Sequence, residues 1–396
     1  MTKNSLKNGP DELGYYGEGE SAMGGMAVGE TLMPALHELN LAFEDAIKDK
    51  AFLDEFAYYC KHYIGRPSPL YHAENLSNKL GGAKILFKQE HLNHTGSHKI
   101  TNSLFQVLLA KRMGKKNLIC ESGAGQHYSA TAAVAAKFGI PLIGVMGEVD
   151  IKRVNQNIIK AKHYGAKLKA VPGTLKEAIT DAIKTWITNP DYYYVCGSAV
   201  SSFPFPKIVQ FAQSIIGKEI REQCLEQEKK LPNMIIGCVG GGSNFIGSIH
   251  EFLDEPNIKK IGVEAAETAA LTHGTPNIMQ GMKSYMLASS DGSKSLGGSS
   301  LGAGIQYFGV GPQHSYLKDQ GAVTYTSATD KEILNAYKVV AQTEGISSAL
   351  EPMAAAAEVL KQAKGKPKDF IIVLSLCGRG EKDLDTIEEH MGKDFE

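Results

Sequence analysis

From residue 83 onward the chain repeats one pattern: a short apolar run, a turn of small or polar residues, then an amphipathic stretch. Apolar runs fall at 83–89, 117–121 (NLICE), 141–147 (PLIGVMG), 166–171, 192–197, 234–240 (MIIGCVG), 259–266 and 369–376 (DFIIVLSL), and apart from 166–171 (AKLKAV) they do not alternate with polar residues. A strand that is apolar on both faces is buried on both faces. With helical stretches at about 99–113, 126–138, 153–164, 174–187, 206–227, 244–253, 329–344 and 352–364, the pattern predicts an α/β fold of parallel sheets covered by helices. The series is too long for one comfortable sheet, and the helix 206–227 with its polar exit EQEKKLPN offers a boundary between two layers. Upstream, residues 1–14 read as a loose polar arm, 15–30 as glycine-rich irregular structure, and 31–49 and 50–65 as helices stopped by Pro67 and Pro69. The segment 267–304, rich in Gly, Ser and Thr, reads as loops over a site.

Charge narrows the partners. With 42 basic against 43 acidic side chains the formal net charge is −1, which gives no basis for binding nucleic acid or an anionic membrane. The six cysteines (Cys60, Cys120, Cys196, Cys224, Cys238, Cys377) are widely spaced and mostly lie in apolar runs, as reduced, buried thiols would. A polar N-terminus and the lack of a membrane-length apolar run predict a soluble, cytoplasmic protein.

Several strand-to-helix junctions carry residues suited to chemistry. In LNHTGSHKITN (92–102), Lys99 stands where a helix N-terminus supplies free N–H groups and a positive dipole end, so the site gives a lysine no dipole benefit. A solvated surface lysine is one explanation. A Schiff-base lysine held near an anionic cofactor is the other. In VGGGSN (239–244), three glycines after a buried strand and before a helix would let the backbone approach an anion, with Ser243 and Asn244 beside it; a plain tight turn is the alternative. No Walker lysine follows. ESGAGQHY (121–128) nearly matches a dinucleotide fingerprint, with Glu148 near the ribose position, but Tyr128 stands at the third glycine. That loop could instead hold a carboxylate on the N–H groups of Ser122 to His127, with Glu121 as acid or base. CGSAVSSFPFP (196–206) offers Ser198, and LCGRGEKD (376–383) offers Cys377 and Arg379, again at strand ends where ligands gather. The histidines at 94, 98, 127 and 314 show no metal-ligand spacing.

Together these segments resemble the tryptophan synthase β-chain family, among the fold-type II pyridoxal-phosphate enzymes related to cysteine synthase and threonine dehydratase. The resemblance runs from about residue 15 to the C-terminus through LMPAL (32–36), YIGRPSPL (63–70), LNHTGSHK, LLAKRMGKKN (108–117), ESGAGQH, GCVGGGSN, GVGPQH (309–314), EGI-x-x-ALE (344–351) and GRG-x-KD (378–383). It implies two three-layer α/β domains with pyridoxal phosphate in the cleft between them. One would comprise 15–61 and 87–216, with a mobile part at about 114–200, and the other 62–86 and 217–396, with 1–14 as a flexible arm. It also implies Lys99 as the Schiff-base lysine, and His98, Ser198, Gly240, Gly241, Gly242, Ser243 and Asn244 around the cofactor. Glu351 would lie near the ring and Cys377 at its nitrogen. Glu121 would be the acid/base, and Ser122, Gly123, Ala124, Gly125, Gln126 and His127 would surround the substrate carboxylate. The implied reaction replaces the hydroxyl of L-serine with indole to give tryptophan. A monovalent cation (Na+ or K+), a homodimer and an α subunit belong to the same expectation.

The sequence departs from the family pattern at chemically pointed places. Phe87-Lys88-Gln89-Glu90-His91 replaces L-K-R-E-D, Thr101 an asparagine, Cys377 a serine, and Ser201-Ser202-Phe203-Pro204-Phe205-Pro206 the pattern G-P-H-P-Y-P. Arg153 matches the arginine of a closing salt bridge, but Gln306 holds its aspartate's position, and Met279 and Gln280 replace the aromatic pair of the indole tunnel. The alternatives are a β-replacement enzyme using another nucleophile, a nicotinamide-dependent oxidoreductase, or a non-catalytic binding protein.

Overall fold

In the computed structural model, which describes residues 7, 9–152, 155–290, 292 and 294–394, the chain divides into two compact units. The larger comprises residues 1–27, 68–92 and 198–396, the smaller 28–67 and 93–197. Residues 15–27, 87–92 and 198–216 therefore group with the larger unit and 62–67 with the smaller, unlike the boundaries expected above. Pairing and packing explain this. Lys84–Lys88 hydrogen-bonds along its length to Ile371–Ser375, and the helix Phe205–Gln213 packs so closely on Ser243–Ile249 that a Cβ on Gly247 would lie 2.4 Å from the Gln213 carbonyl.

The larger unit holds a six-stranded sheet in the order Thr324–Ala328, Lys259–Ala265, Met234–Cys238, Ile371–Ser375, Lys84–Lys88, Leu70–His72. All pairs are parallel except the last. Successive residues feed two separate cores. Ile85, Phe87, Ile236, Ile372 and Leu374 pack with Leu350 and Met353 on one face, while Leu86, Ile235, Ile371 and Val373 pack with Phe245, Ile246 and Phe252 on the other. Both faces are covered, which is why the strands read as unbroken apolar runs.

Three expectations fail in this unit. Residues 15–30 are not wholly irregular, because Tyr15–Tyr16 and Met23–Gly24 pair antiparallel. Likewise 267–304 is not only loop, since Thr275–Met279 and Met282–Met286 form a hairpin that pairs with Met23–Gly24, giving a small four-stranded antiparallel sheet. The turn of that hairpin is Gln280-Gly281, both at positive φ (46° and 75°), as a two-residue hairpin turn needs. The single helix expected at 206–227 is also two, Phe205–Gln213 and Ile215–Glu228. They meet at Ser214, whose hydroxyl donates to the Gln210 carbonyl.

The smaller unit holds a four-stranded parallel sheet in the order Lys167–Val171, Leu142–Gly147, Asn117–Glu121, Tyr192–Tyr194. The helix Lys99–Arg112 is buried from Ile100 to Ala110. Phe105 meets the ring edges of Phe43, Phe52 and Phe56 at 6.0, 5.5 and 5.2 Å between centroids, which fixes the N-terminal helices Met33–Ala46 and Lys50–Tyr59 against it. The helix expected at 153–164 is observed as Glu148–Ile151 and Asn155–His163. Arg153 lies outside the described residues. No helix among those described is long and apolar enough to cross a membrane.

Candidate active site

In the smaller unit the site grows from one helix start and two strand ends. Lys99 opens its helix, is half-buried, and donates from Nζ to the Gly197 carbonyl. Glu121 closes the strand Asn117–Glu121, and its Oε1 accepts the Gly197 N–H at 3.4 Å. One residue of main chain thus addresses both candidate groups. The second carboxylate oxygen, Glu121 Oε2, is buried without a hydrogen-bond partner. Burial pushes the Glu121 carboxyl up to about 7, against opposing pulls from Tyr194, the Gly197 N–H and the Lys99 charge. A carboxyl at that value exchanges protons readily near neutrality.

The loop after Glu121 turns into the helix Gln126–Phe138 through Gly125 at φ +73°. Asn157 holds it by donating to the Ala124 carbonyl at 2.9 Å, Ser122 N–H donates to Val145, and Leu175 lies 3.4 Å from where a Cβ on Gly123 would stand. Gln126 Oε1 is buried and unpartnered. The His127 side chain turns away from the loop: Nε2 donates to the Val195 carbonyl at 2.8 Å, and its ring fills the space a Cβ on Gly197 would need. Burial lowers its pKa to about 3, with the Lys99 charge adding to the effect, so the ring is neutral. Tyr128, the residue that spoils the dinucleotide fingerprint, packs its ring where a Cβ on Gly144 would lie, 2.2 Å away. Close helix–strand approach is thus provided by a glycine on the strand.

In the larger unit the candidate residues radiate from the glycine turn. The Gly241 carbonyl accepts from Gly311 N–H, and the Gly242 carbonyl accepts from His314 Nε2 at 2.8 Å. A trans peptide carries its N–H opposite its carbonyl, so the N–H groups of Gly242 and Ser243 face away from those partners. His314 Nδ1 accepts from Tyr325, and burial lowers the His314 pKa to about 4, keeping it neutral. Added Cβ atoms would lie 2.5 Å from the Gly304 carbonyl at Gly240, 1.9 Å from Ser198 Oγ at Gly241 and 2.2 Å from the His314 ring at Gly242, where φ is +93°. Asn244 donates to the Cys238 carbonyl at 3.1 Å, and Cys238 Sγ lies 3.6 Å from Cys377 Sγ. Glu351 Oε1 accepts from Gly304 N–H at 2.7 Å and from Lys382 Nζ at 2.9 Å, while its Oε2 is buried without a partner. Burial opposes ionisation of Glu351, but the Lys382 ammonium outweighs it and holds the carboxyl below the usual range.

Other expected residues are placed as follows. His98 is buried and precedes the helix of Lys99. Gln306 donates to the Gly298 carbonyl at 3.2 Å, and its expected partner Arg153 is not among the described residues. Gln280 donates to Tyr307, and Met279 packs against Gly309. Neither Lys382, which neutralises Glu351, nor the polar residues Asn102, Ser103 and Gln106 stand out in the sequence. The latter share a face with Lys99 at helical spacing of three, four and seven, the only sequence signal that could have found them.

A profile of the family described as pyridoxal-phosphate dependent enzyme matches residues 62–378. The chain is also 48% identical, over 401 aligned residues covering 98% of each chain, to the tryptophan synthase beta chain of Allorhizobium ampelinum.

Proposed function

The chain belongs to the tryptophan synthase beta-chain family of pyridoxal-phosphate dependent enzymes, and from that premise we propose how its own residues divide the chemistry. It is a carbon–oxygen lyase that joins L-serine to indole, and the nicotinamide and binding-protein alternatives fall with the family assignment. The residues present fit the cofactor. The glycine turn 240–242 leaves no room for side chains and directs N–H groups one way, as a phosphate cradle requires, and the buried oxygens Glu121 Oε2 and Glu351 Oε2 await polar partners. Pyridoxal phosphate, when bound, supplies an aldehyde that condenses with amines and a ring that withdraws electrons from the substrate Cα.

Gly240 to Asn244, with Ser198 and His98, would hold the phosphate, and Lys99 would be the amine that holds the aldehyde. As a free amine, Lys99 Nζ would take the Cα proton of L-serine. Protonated Glu121 gives its proton to the leaving hydroxyl, which departs as water. The resulting carboxylate takes the proton that the indole carbon loses on bonding to Cβ, and Lys99 returns its proton to Cα. Each group ends the cycle as it began. Ser122 to Gln126 and the His127 N–H hold the substrate carboxylate, Glu351 lies by the ring oxygen and Cys377 by the ring nitrogen. Gln306 puts a neutral amide where the family carries an aspartate, so this position offers no charge for a closing salt bridge. An α-subunit partner, supported by the relative's description as a beta chain, completes the proposal together with a homodimer and a cytoplasmic location.

The observation that carries these roles is the shared use of Gly197 by Lys99 and the buried Glu121. The test is tryptophan formation from L-serine and indole with added pyridoxal phosphate. Wild type should be active, Glu121→Gln slower by on the order of a hundredfold or more, and Lys99→Ala inactive. Full activity of either variant would remove its residue from the scheme.

A further inference from the structure

The helix that begins with Lys99 carries a stripe of buried polar residues, Asn102, Ser103 and Gln106, each with no exposed surface. The stripe grips the segment that follows the strand Tyr192–Tyr194, at Cys196. Gln106 matches the main chain of Cys196 at two points: Oε1 accepts the Cys196 N–H at 3.0 Å, and Nε2 donates to the Cys196 carbonyl at 2.7 Å. Asn102 Nδ2 donates to that same carbonyl at 2.8 Å, and its Oδ1 accepts from Gln106 Nε2 at 2.8 Å. The strand Tyr192–Tyr194 has ended by this point, so side-chain amides replace sheet pairing. Beneath the same segment His127 ties down the Val195 carbonyl, and Ser103 and Thr131 flank its Nδ1.

The Cys196 carbonyl and the Gly197 N–H belong to one peptide group. Two amide donors on the carbonyl polarise that group and strengthen its N–H as a donor. The acceptor of that N–H is Glu121. We propose that Gln106, with Asn102, is a positioning residue for Glu121: by clamping the Cys196–Gly197 peptide it sets where, and how strongly, the Gly197 N–H meets the carboxylate. The inference deepens the assignment of Glu121 as the proton carrier and rests on it for its catalytic consequence.

The groups facing Glu121 are the Lys99 ammonium, the Tyr194 side chain and, on its own strand, the Cys120 thiol. All three are kept in Gln106→Leu, which removes the clamp at similar volume. The Gly197 N–H holds the Glu121 carboxyl down, so a weaker donor lets it rise. The shift expected from losing one polarising donor and the fixed geometry is about half a pH unit.

The first readout is the Glu121 titration by NMR, in protein labelled with 13C at glutamate carboxyls, with and without pyridoxal phosphate. The signal is assigned by its loss in Glu121→Gln. The second is a double-mutant cycle on tryptophan formation. Gln106→Leu should raise the Glu121 midpoint, slow the wild-type background several-fold and leave the Glu121→Gln rate unchanged. An unmoved midpoint, or an equal slowing in both backgrounds, overturns the proposal even with Glu121 shown to be catalytic. Full activity of Glu121→Gln would instead sink the catalytic assignment, and the midpoint alone would then decide whether the clamp tunes this carboxyl. Should Gln106→Leu fail to fold, Asn102→Ala, which removes one of the two donors, is read the same way.

Discussion

Replacing Lys382 with methionine should destabilise the larger unit in a pH-dependent way. Lys382 Nζ lies 2.9 Å from Glu351 Oε1 and 2.8 Å from each carboxylate oxygen of Asp383, with side-chain exposures of 5%, 9% and 7% for Lys382, Glu351 and Asp383. Methionine keeps the length of the stem but leaves two buried carboxylates without a counter-charge. Each retains one backbone donor, Gly304 N–H for Glu351 and Leu350 N–H for Asp383. Removing one partner from a buried ion cluster costs about 3–5 kcal/mol. In the wild type the Glu351 carboxyl is held below its unfolded value, so its contribution is present above the unfolded carboxylate range and is lost as pH falls through the folded value. In the variant burial and the mutual repulsion of the two carboxylates, opposed only by the two backbone donors, raise Glu351 above its unfolded value and push Asp383, already raised by burial in the wild type, further up. The deficit is then small at acid pH, grows as pH rises through about 4–5, and saturates above the folded values. We expect a loss of about 1 kcal/mol at pH 5 and about 3–5 kcal/mol at pH 8. Urea unfolding of the cofactor-free protein should be followed by circular dichroism, because the single tryptophan, Trp186, lies in the smaller unit and would not report on this one. A loss under about 1 kcal/mol at pH 8, or the same loss at both pH values, would refute the reasoning.

Three further outcomes are expected. Gly242→Ala, which places a methyl on a positive-φ residue 2.2 Å from the His314 ring, should weaken pyridoxal phosphate binding by about tenfold or more in a fluorescence titration; unchanged affinity would remove the turn from the cofactor site. Cys377→Ser should leave the replacement rate nearly unchanged while Cys377→Asp slows it, and equal rates in all three proteins would mean that this side chain does not meet the ring. Gln306→Asp should lower the pyruvate released per tryptophan formed, measured with serine and indole together, by restoring a charge-assisted bond about twice as strong as a neutral one. A ratio that does not move would dissociate Gln306 from water exclusion.

The α/β class was legible because each central strand buries both faces, as the alternation of Leu86 with Ile85 and Phe87 between two cores illustrates. The small sheet was not, because Tyr15–Tyr16 and Met23–Gly24 are two-residue strands with no periodicity to read, stabilised by a hairpin more than 250 residues away. Ser214 breaks a helix whose apolar pattern continues across it, so only the packing of each half reveals the break. The candidate groups Lys99, Glu121 and Gly240 to Asn244 were visible as unusual residues at strand-to-helix junctions. Gln106 and Lys382 were not, because a buried polar side chain acquires meaning only from its partner, and Cys196 and Glu351 are 90 and 31 residues away in the chain.

The most direct test of the account is where pyridoxal phosphate attaches. The purified protein should show a visible absorption band with the cofactor, lose it on borohydride reduction, and yield a single cofactor-modified peptide containing Lys99 by mass spectrometry, with none in Lys99→Ala. A modification mapped to another lysine, or none with cofactor in excess, would contradict the central claim that this strand-to-helix lysine is the one around which the site is built.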